Sequence, residues 1–123
     1  MKEDKIRNIV EYVINISIDE LSELTVKKIA DKFCMSYSYL SRSFFKSKGV
    51  RLSKFISFIK LTKSLQMMYI YPELQIREIS KKVGFESSIY FSRTFKEWFG
   101  KNPARFRKLF FRGKLPTDLK SIR

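Results

Sequence analysis

The chain has no histidine and a single cysteine, Cys34. Without histidine there is no side chain poised to titrate near neutrality, no imidazole ligand for zinc and no hydrolytic triad. One cysteine excludes an intramolecular disulfide and any cluster of cysteine metal ligands. No apolar run approaches the ~18 residues of a membrane span. The opening Met-Lys-Glu-Asp-Lys lacks the apolar stretch of a signal peptide. A reducing cytoplasm is therefore the expected compartment, with no membrane partner. No Walker A pattern is present, and Glu73, Glu78, Glu86, Glu97 and Asp118 form no paired-carboxylate motif. Nothing points to an enzyme, a metal or a cofactor. Hairpin dipeptides such as Asn-Gly are missing and strand alternation is weak.

Acidic residues are absent from one long stretch. Residues 32–72 carry eight Lys/Arg and no Asp/Glu. Residues 1–31 have five basic against seven acidic, and residues 73–123 thirteen against five, within a total of +14. The positive excess thus spares the N-terminal segment. Such a distribution suits a polyanion-facing surface, and nucleic acid is the expected partner; a merely solubilising surface is the alternative. With 44% hydrophobic and 15% aromatic residues, the chain has enough apolar material for a core.

What is present is a repeat. Ser36-Tyr37-Ser38-Tyr39-Leu40-Ser41-Arg42-Ser43-Phe44 returns as Ser87-Ser88-Ile89-Tyr90-Phe91-Ser92-Arg93-Thr94-Phe95, shifted by 51 positions (87 minus 36). Carried on, the shift aligns Gly49 with Gly100 and Phe55 with Phe106, and seven of the 20 pairs from Ser36 are identical. Upstream, Leu24, Val26, Ile29 and Phe33 correspond to Leu74, Ile76, Ile79 and Val83 with one residue inserted. The repeat defines the structural unit.

Local signals predict an all-α chain of about seven helices. Ile6, Ile9, Val10, Val13 and Ile14 recur at helical spacing, and this first helix closes near Asn15. Thr25 caps a short helix to Phe33, with Val26, Ile29, Ala30 and Phe33 inward. Cys34-Met35 is a turn, with Cys34 expected as a small buried residue. Ser36 caps the next helix and Gly49 ends it. A longer helix begins near Ser53, with Phe55, Ile56, Ile59, Leu61, Leu65 and Met68 as core candidates, and Pro72 stops it. The second unit repeats the plan through Ile76 to Val83 and Ser87 to Phe99, and Pro103 opens a last helix through Arg107. The expected division is a first lobe at 1–51, a linker helix at 52–71, a second lobe at 72–108 and a basic tail at 109–123.

A short helix, a tight turn and a second helix make a helix-turn-helix, whose second helix fits the major groove. That helix needs one face anchored in the core and the opposite face offering hydrogen-bond donors. In the first unit Leu40 and Phe44 anchor, leaving Ser38, Ser41 and Arg42 outward. In the second, Phe91 and Phe95 anchor, leaving Ser88, Ile89, Ser92 and Arg93 outward. An arginine there suits guanine O6 and N7, and Ile89 suits a thymine methyl. Candidate backbone contacts are Ser36, Tyr37, Lys46, Ser87 and Lys96. For Ser36 and Ser87 an N-cap role is preferred over base contact. Tyr39, Tyr90, Trp98 and Phe99 read as core rather than stacking platforms. A structural bridge from Arg42 to Asp31 is the alternative for that arginine.

Taken together, these residues resemble the DNA-binding domain of the AraC/XylS family of bacterial transcription regulators. The resemblance is carried by Ile79-Ser80-Lys81-Lys82-Val83-Gly84-Phe85-Glu86-Ser87, Tyr90-Phe91-Ser92-Arg93-Thr94-Phe95-Lys96, Phe99-Gly100 and Pro103-Ala104-Arg105-Phe106-Arg107, and in the first unit by Ile29-Ala30, Met35-Ser36, Tyr39-Leu40-Ser41-Arg42 and Phe44. It covers about residues 5–108. It implies two helix-turn-helix lobes on one linker helix, roughly Leu52 to Tyr69, entering successive major-groove segments ~34 Å apart. It also implies a monomer reading promoter DNA, usually as an activator touching RNA polymerase. The base readers it implies are again Ser38, Ser41, Arg42, Ser88, Ile89, Ser92 and Arg93. Cys34 stands where the family commonly has Gly, Tyr37 where it often has Pro, and Lys60 and Ser64 replace its usual Arg and Ala. No small-molecule effector site is evident. The chain is either a stand-alone regulator or an excised domain.

Three other readings compete. Charge alone would support an architectural, sequence-independent DNA binder; the repeated outward Ser/Arg pattern argues against it. A nuclease lacks its carboxylates. A protein-binding module does not need the basic excess. The stretch from Leu109 to Arg123 reads as a basic tail adding phosphate contacts, with a protein-contacting role through Leu109-Phe110-Phe111 as its rival.

Overall fold

The computed structural model of the chain describes residues 2–111. The described residues form eight helices and no strand: α1 (Lys2–Asn15), α2 (Ile18–Ser22), α3 (Val26–Lys32), α4 (Tyr37–Lys48), α5 (Leu52–Ile70), α6 (Ile76–Lys82), α7 (Ser88–Phe99) and α8 (Pro103–Phe110). The helix beyond the expected seven is α2. It is a five-residue turn capped by Ser17, whose Oγ accepts from the Glu20 N–H at 3.2 Å. Only Leu21 of α2 is buried, so it is too short for periodicity to reveal. At the other end α8 continues to Phe110, beyond the expected stop at Arg107. The proposed tail therefore loses its first residues to a helix, and residues 112–123 lie outside those described.

Contacts divide the chain into two compact units, Met1–Lys60 and Leu61–Arg123, with the division inside α5. The first unit has an aliphatic core. Ile6, Ile9 and Val13 of α1, Leu21, Leu24, Val26, Ile29 and Ala30 are buried with Leu40 and Phe44 of α4 and with Leu52, Ile56 and Ile59 of α5. Burial of each large aliphatic side chain contributes roughly 1.5–3 kcal/mol before chain entropy is counted. Ile14, expected inward, is 44% exposed; it lies one residue beyond Val13 and so turns off the buried stripe. Tyr12 ties three elements together. Its hydroxyl donates to Glu20, its ring meets Phe33 edge-on, and the Lys32 ammonium sits 4.9 Å from the ring centroid. Burial first, then the hydrogen bond and charge of Glu20, push this hydroxyl up to about 12.

The second unit is aromatic where the first is aliphatic. Rings follow one another through Phe85, Phe91, Phe95, Phe106 and Phe110, with centroid separations of 4.7 to 5.7 Å. Leu61, Met67, Met68, Ile79 and Val83 complete the core. Met67 is buried where Leu65 was expected; Leu65 is half-buried. Ser64 is fully buried and returns its hydroxyl to the Leu61 carbonyl at 2.6 Å, so the serine is tolerated inside the helix. Arg107 of α8 donates to the carbonyls of Leu74, Tyr71 and Met68. It thereby reaches one carbonyl in the last turn of α5, that of Met68, and two in the loop that follows.

The two helix-turn-helix turns differ by one residue. In the first, Cys34 adopts φ 57, Met35 N–H returns to the Ala30 carbonyl and Ser36 caps α4. In the second, Gly84 adopts φ 102, Phe85 N–H returns to the Ser80 carbonyl and Ser87 caps α7. Glu86 is the extra residue, lying between that return bond and the cap. Both turns need a left-handed residue, which glycine takes at no steric cost. Cys34 takes it at a cost, and it is exposed rather than buried: the left-handed turn carries its side chain away from the core.

Cys34→Gly should therefore stabilise the protein by about 0.5–1 kcal/mol, the left-handed strain removed less the entropy glycine adds to the unfolded chain. Urea unfolding should show a higher midpoint at unchanged slope. In the second unit the Ser80 hydroxyl is buried without a hydrogen-bond partner, at the position Ala30 holds in the first. Ser80→Ala should raise stability by about 1 kcal/mol, because a buried polar atom left unpaired costs about that much or more.

Candidate nucleic-acid interface

Helices α4 and α7 are built alike. Ser36 Oγ accepts from Tyr39 N–H and Ser87 Oγ from Tyr90 N–H, each at 3.2 Å. Gly49 and Gly100 end the two helices in left-handed conformations. The buried residues are Leu40, Ser43 and Phe44 in α4 and Phe91, Thr94 and Phe95 in α7, the same repeat positions in each. With positions i, i+3 and i+4 held inward, the opposite face must point out. The polar Ser43 and Thr94 are buried with the apolar anchors, at matching repeat positions.

On the outward face of α4 lie Ser38 and Arg42, exposed, and Ser41, half-buried. On α7, Ile89 is 72% exposed, Ser88 and Arg93 are exposed, and Ser92 is half-buried. The seven candidate base readers thus fall on two surfaces, three on α4 and four on α7. Tyr37 begins α4 and is exposed, as are Ser36, Ser87, Lys46 and Lys96. Since Ser36 and Ser87 accept a backbone hydrogen bond, each hydroxyl proton remains available to a phosphate oxygen. Asp31 pairs with Lys27 at 3.5 Å, not with Arg42, so the structural bridge considered for that arginine does not form.

Three aromatic expectations are corrected. Tyr39, Tyr90 and Trp98 are 43%, 51% and 43% exposed. Tyr39 and Tyr90 each precede an anchor by one residue, which places them on the flank of α4 and α7 rather than beneath them. Phe99 is half-buried and packs against Phe95 at 4.7 Å. Sequence reasoning also missed a member of the outward face. Phe45 follows Ser38 by seven residues, so it shares that face, and it is 49% exposed. The Arg51 guanidinium lies over its ring at 5.5 Å. The available signal was the repeat itself, which sets Phe45 opposite Lys96.

Among the described residues no helix is long and apolar enough to cross a membrane, and no group of three or more Cys, Asp or Glu could hold a metal ion. What the fold presents is two helix-turn-helix units with exposed Ser/Arg faces on a strongly basic chain, which defines a helix-turn-helix DNA-binding domain. Residues 29–109 match the helix-turn-helix domain family, and the chain belongs to that family in its AraC type.

The chain is 42% identical over 87 residues to the Msm operon regulatory protein of Streptococcus mutans, covering 71% of this chain and 31% of that protein. It superposes on the C-terminal domain of AraT, a response regulator from Geobacillus stearothermophilus, with TM-score 0.74 and 27% identity over 87% of this chain and 86% of that one. The DNA-binding domain of AdpA, solved with a target DNA, shares the fold at TM-score 0.74 and 17% identity, over 90% of this chain and 96% of that one. The chain spans about three tenths of the length of the first curated relatives it matches.

Ser87→Ala should cost about 1 kcal/mol of stability through the lost N-cap. Thermal unfolding checks it; an unchanged midpoint would show that the cap contributes nothing there.

Proposed function

We propose that the chain reads double-stranded promoter DNA as a sequence-specific transcription regulator. The observation that carries this reading is the recurrence of one outward Ser/Arg pattern on two helices, each pinned by a buried pair four residues apart. An electrostatic binder needs charge but not that register. Arg42 and Arg93 then take guanine edges, Ile89 a thymine methyl, and Ser38, Ser41, Ser88 and Ser92 bases or bridging water. Ser36, Tyr37, Ser87, Lys46 and Lys96 hold phosphates and fix the register. Residues 1–51 and 72–108 act as the two lobes and 52–71 as the connector. The reading helices enter successive major-groove segments about one turn apart, so a monomer spans a bipartite site. The protein acts in the cytoplasm on the chromosome, is not an enzyme, and activates by touching RNA polymerase. AdpA's domain, of the same fold, was solved on a target DNA, which supports this use of the fold.

Selection of bound duplexes from a random pool tests the proposal. Two preferred blocks about one helical turn apart are expected. A single block would confine specificity to one unit, and no motif would leave the architectural alternative, a basic binder indifferent to sequence. On a selected site, Arg93→Ala should cost ~1–3 kcal/mol and relax preference at one base pair, whereas Lys96→Ala should weaken selected and random DNA alike and lower the salt slope by about one. Equal losses on both DNAs for Arg93→Ala would remove its base-reading role.

A further inference from the structure

The two reading faces are not charged in the same way. Where the second unit has Lys96 on the outward face of α7, the first has Phe45 on α4; where the second has Asn102, the first has Arg51. Asn102 is used internally, capping α8 by accepting from the Arg105 N–H at 2.9 Å. Arg51 has no such duty. It is exposed, sits between Gly49 and the start of α5, and lays its guanidinium over the Phe45 ring at 5.5 Å. The stretch from 32 to 72 has no carboxylate; the α1 carboxylate that reaches α4, Glu3, accepts from the Ser47 hydroxyl at 3.1 Å, and the salt bridges among the described residues do not include Arg51. Phe45 itself is half in solvent, so the face of its ring is open to that charge.

From these observations we infer that Arg51 is a DNA-backbone contact of the first unit and that Phe45 is its positioning residue. The inference rests on the reading above, in which the outward face of α4 meets DNA. At this repeat position the second unit carries its cation on the helix; in the first, where α4 already has Lys46 one residue on, a further cation comes from the loop behind and is brought to the same face by a cation–π contact. A guanidinium stacked on a ring keeps its N–H edges free, and those edges match two phosphate oxygens. The stack restricts a long, flexible side chain to the neighbourhood of the groove edge, so less order has to be imposed on binding.

The test uses the full chain and a mixed-sequence duplex of about 30 base pairs, some three helical turns. Binding is measured across about 50–200 mM salt, where phosphate contacts register as slope. Arg51→Gln should lower the slope by about 0.9, one contact's worth. Phe45→Leu should weaken binding about two- to five-fold, the size of an exposed cation–π contact, with the slope largely kept. In the Arg51→Gln background, Phe45→Leu should have no further effect. Phe45→Lys in that background should restore the slope, since it returns the charge to the helix as in the second unit. Circular dichroism of each variant confirms that the helices are retained. An unchanged slope for Arg51→Gln overturns the inference, as does an equal effect of Phe45→Leu with and without Arg51, which would make the ring itself the contact. Lys96→Ala separates the two levels. If it lowers the slope and Arg51→Gln does not, only this inference fails. If neither does, and Lys46→Ala leaves the slope unchanged as well, the faces of α4 and α7 do not meet the duplex and the wider reading falls with it.

Discussion

Everything the interface offers depends on how α4 and α7 are pinned. Each helix sinks three consecutive-turn positions into a core: Leu40, Ser43 and Phe44 in one unit, Phe91, Thr94 and Phe95 in the other. Twelve residues of isolated helix would be marginal in water, so tertiary burial supplies the order. The same burial fixes rotation about the helix axis. Once the inner positions are set, the side chains about half a turn away have no choice but to face solvent. The serines, Ile89 and the two arginines owe their presentation to residues that never meet a partner.

The two units reach that geometry by different packing. In the first, α1 and α2 close an aliphatic core. The second has a chain of stacked and edge-on phenylalanines, and Arg107 fastens α8 by donating to three main-chain carbonyls. Aromatic rings cover much area per residue, which suits a unit built from fewer helices. The turns diverge too. A left-handed residue is required in both, met by glycine in one and by a strained, exposed cysteine in the other, and Glu86 lengthens the second turn. A shared plan is thus realised with separate stabilities, and with outward faces that differ in charge placement.

Charge is distributed to match. Acidic residues gather in the first 31 positions, while the stretch from 32 to 72, which contains α4, has none. Salt bridges among the described residues lie between exposed partners such as Lys27 and Asp31, where each contributes little to stability. The basic side chains on the outward faces of α4 and α7 are therefore not spent on holding the fold, and their field is available to a polyanion.

Much of this was legible in the sequence because it is local. Helix spans follow from periodicity over a few residues, and the caps at Thr25, Ser36 and Ser87 from one side chain and a backbone N–H three positions on. The repeat exposed the shared anchors and the paired arginines, since identical spacing gives identical faces. The sequence by itself thus determined every described helix but the short α2, most of their inward stripes and the repeated Ser/Arg pattern of the two outward faces. Tertiary structure decided what depends on more than one element. It turned Tyr39, Tyr90 and Trp98 into solvent, because flanking positions are buried only if a neighbouring helix covers them. It set Cys34 into a left-handed turn, brought Arg51 over Phe45, and led Arg107 back to carbonyls 33 to 39 residues away. Such contacts join residues whose proximity is fixed by the packing of several helices at once, and no local pattern encodes that.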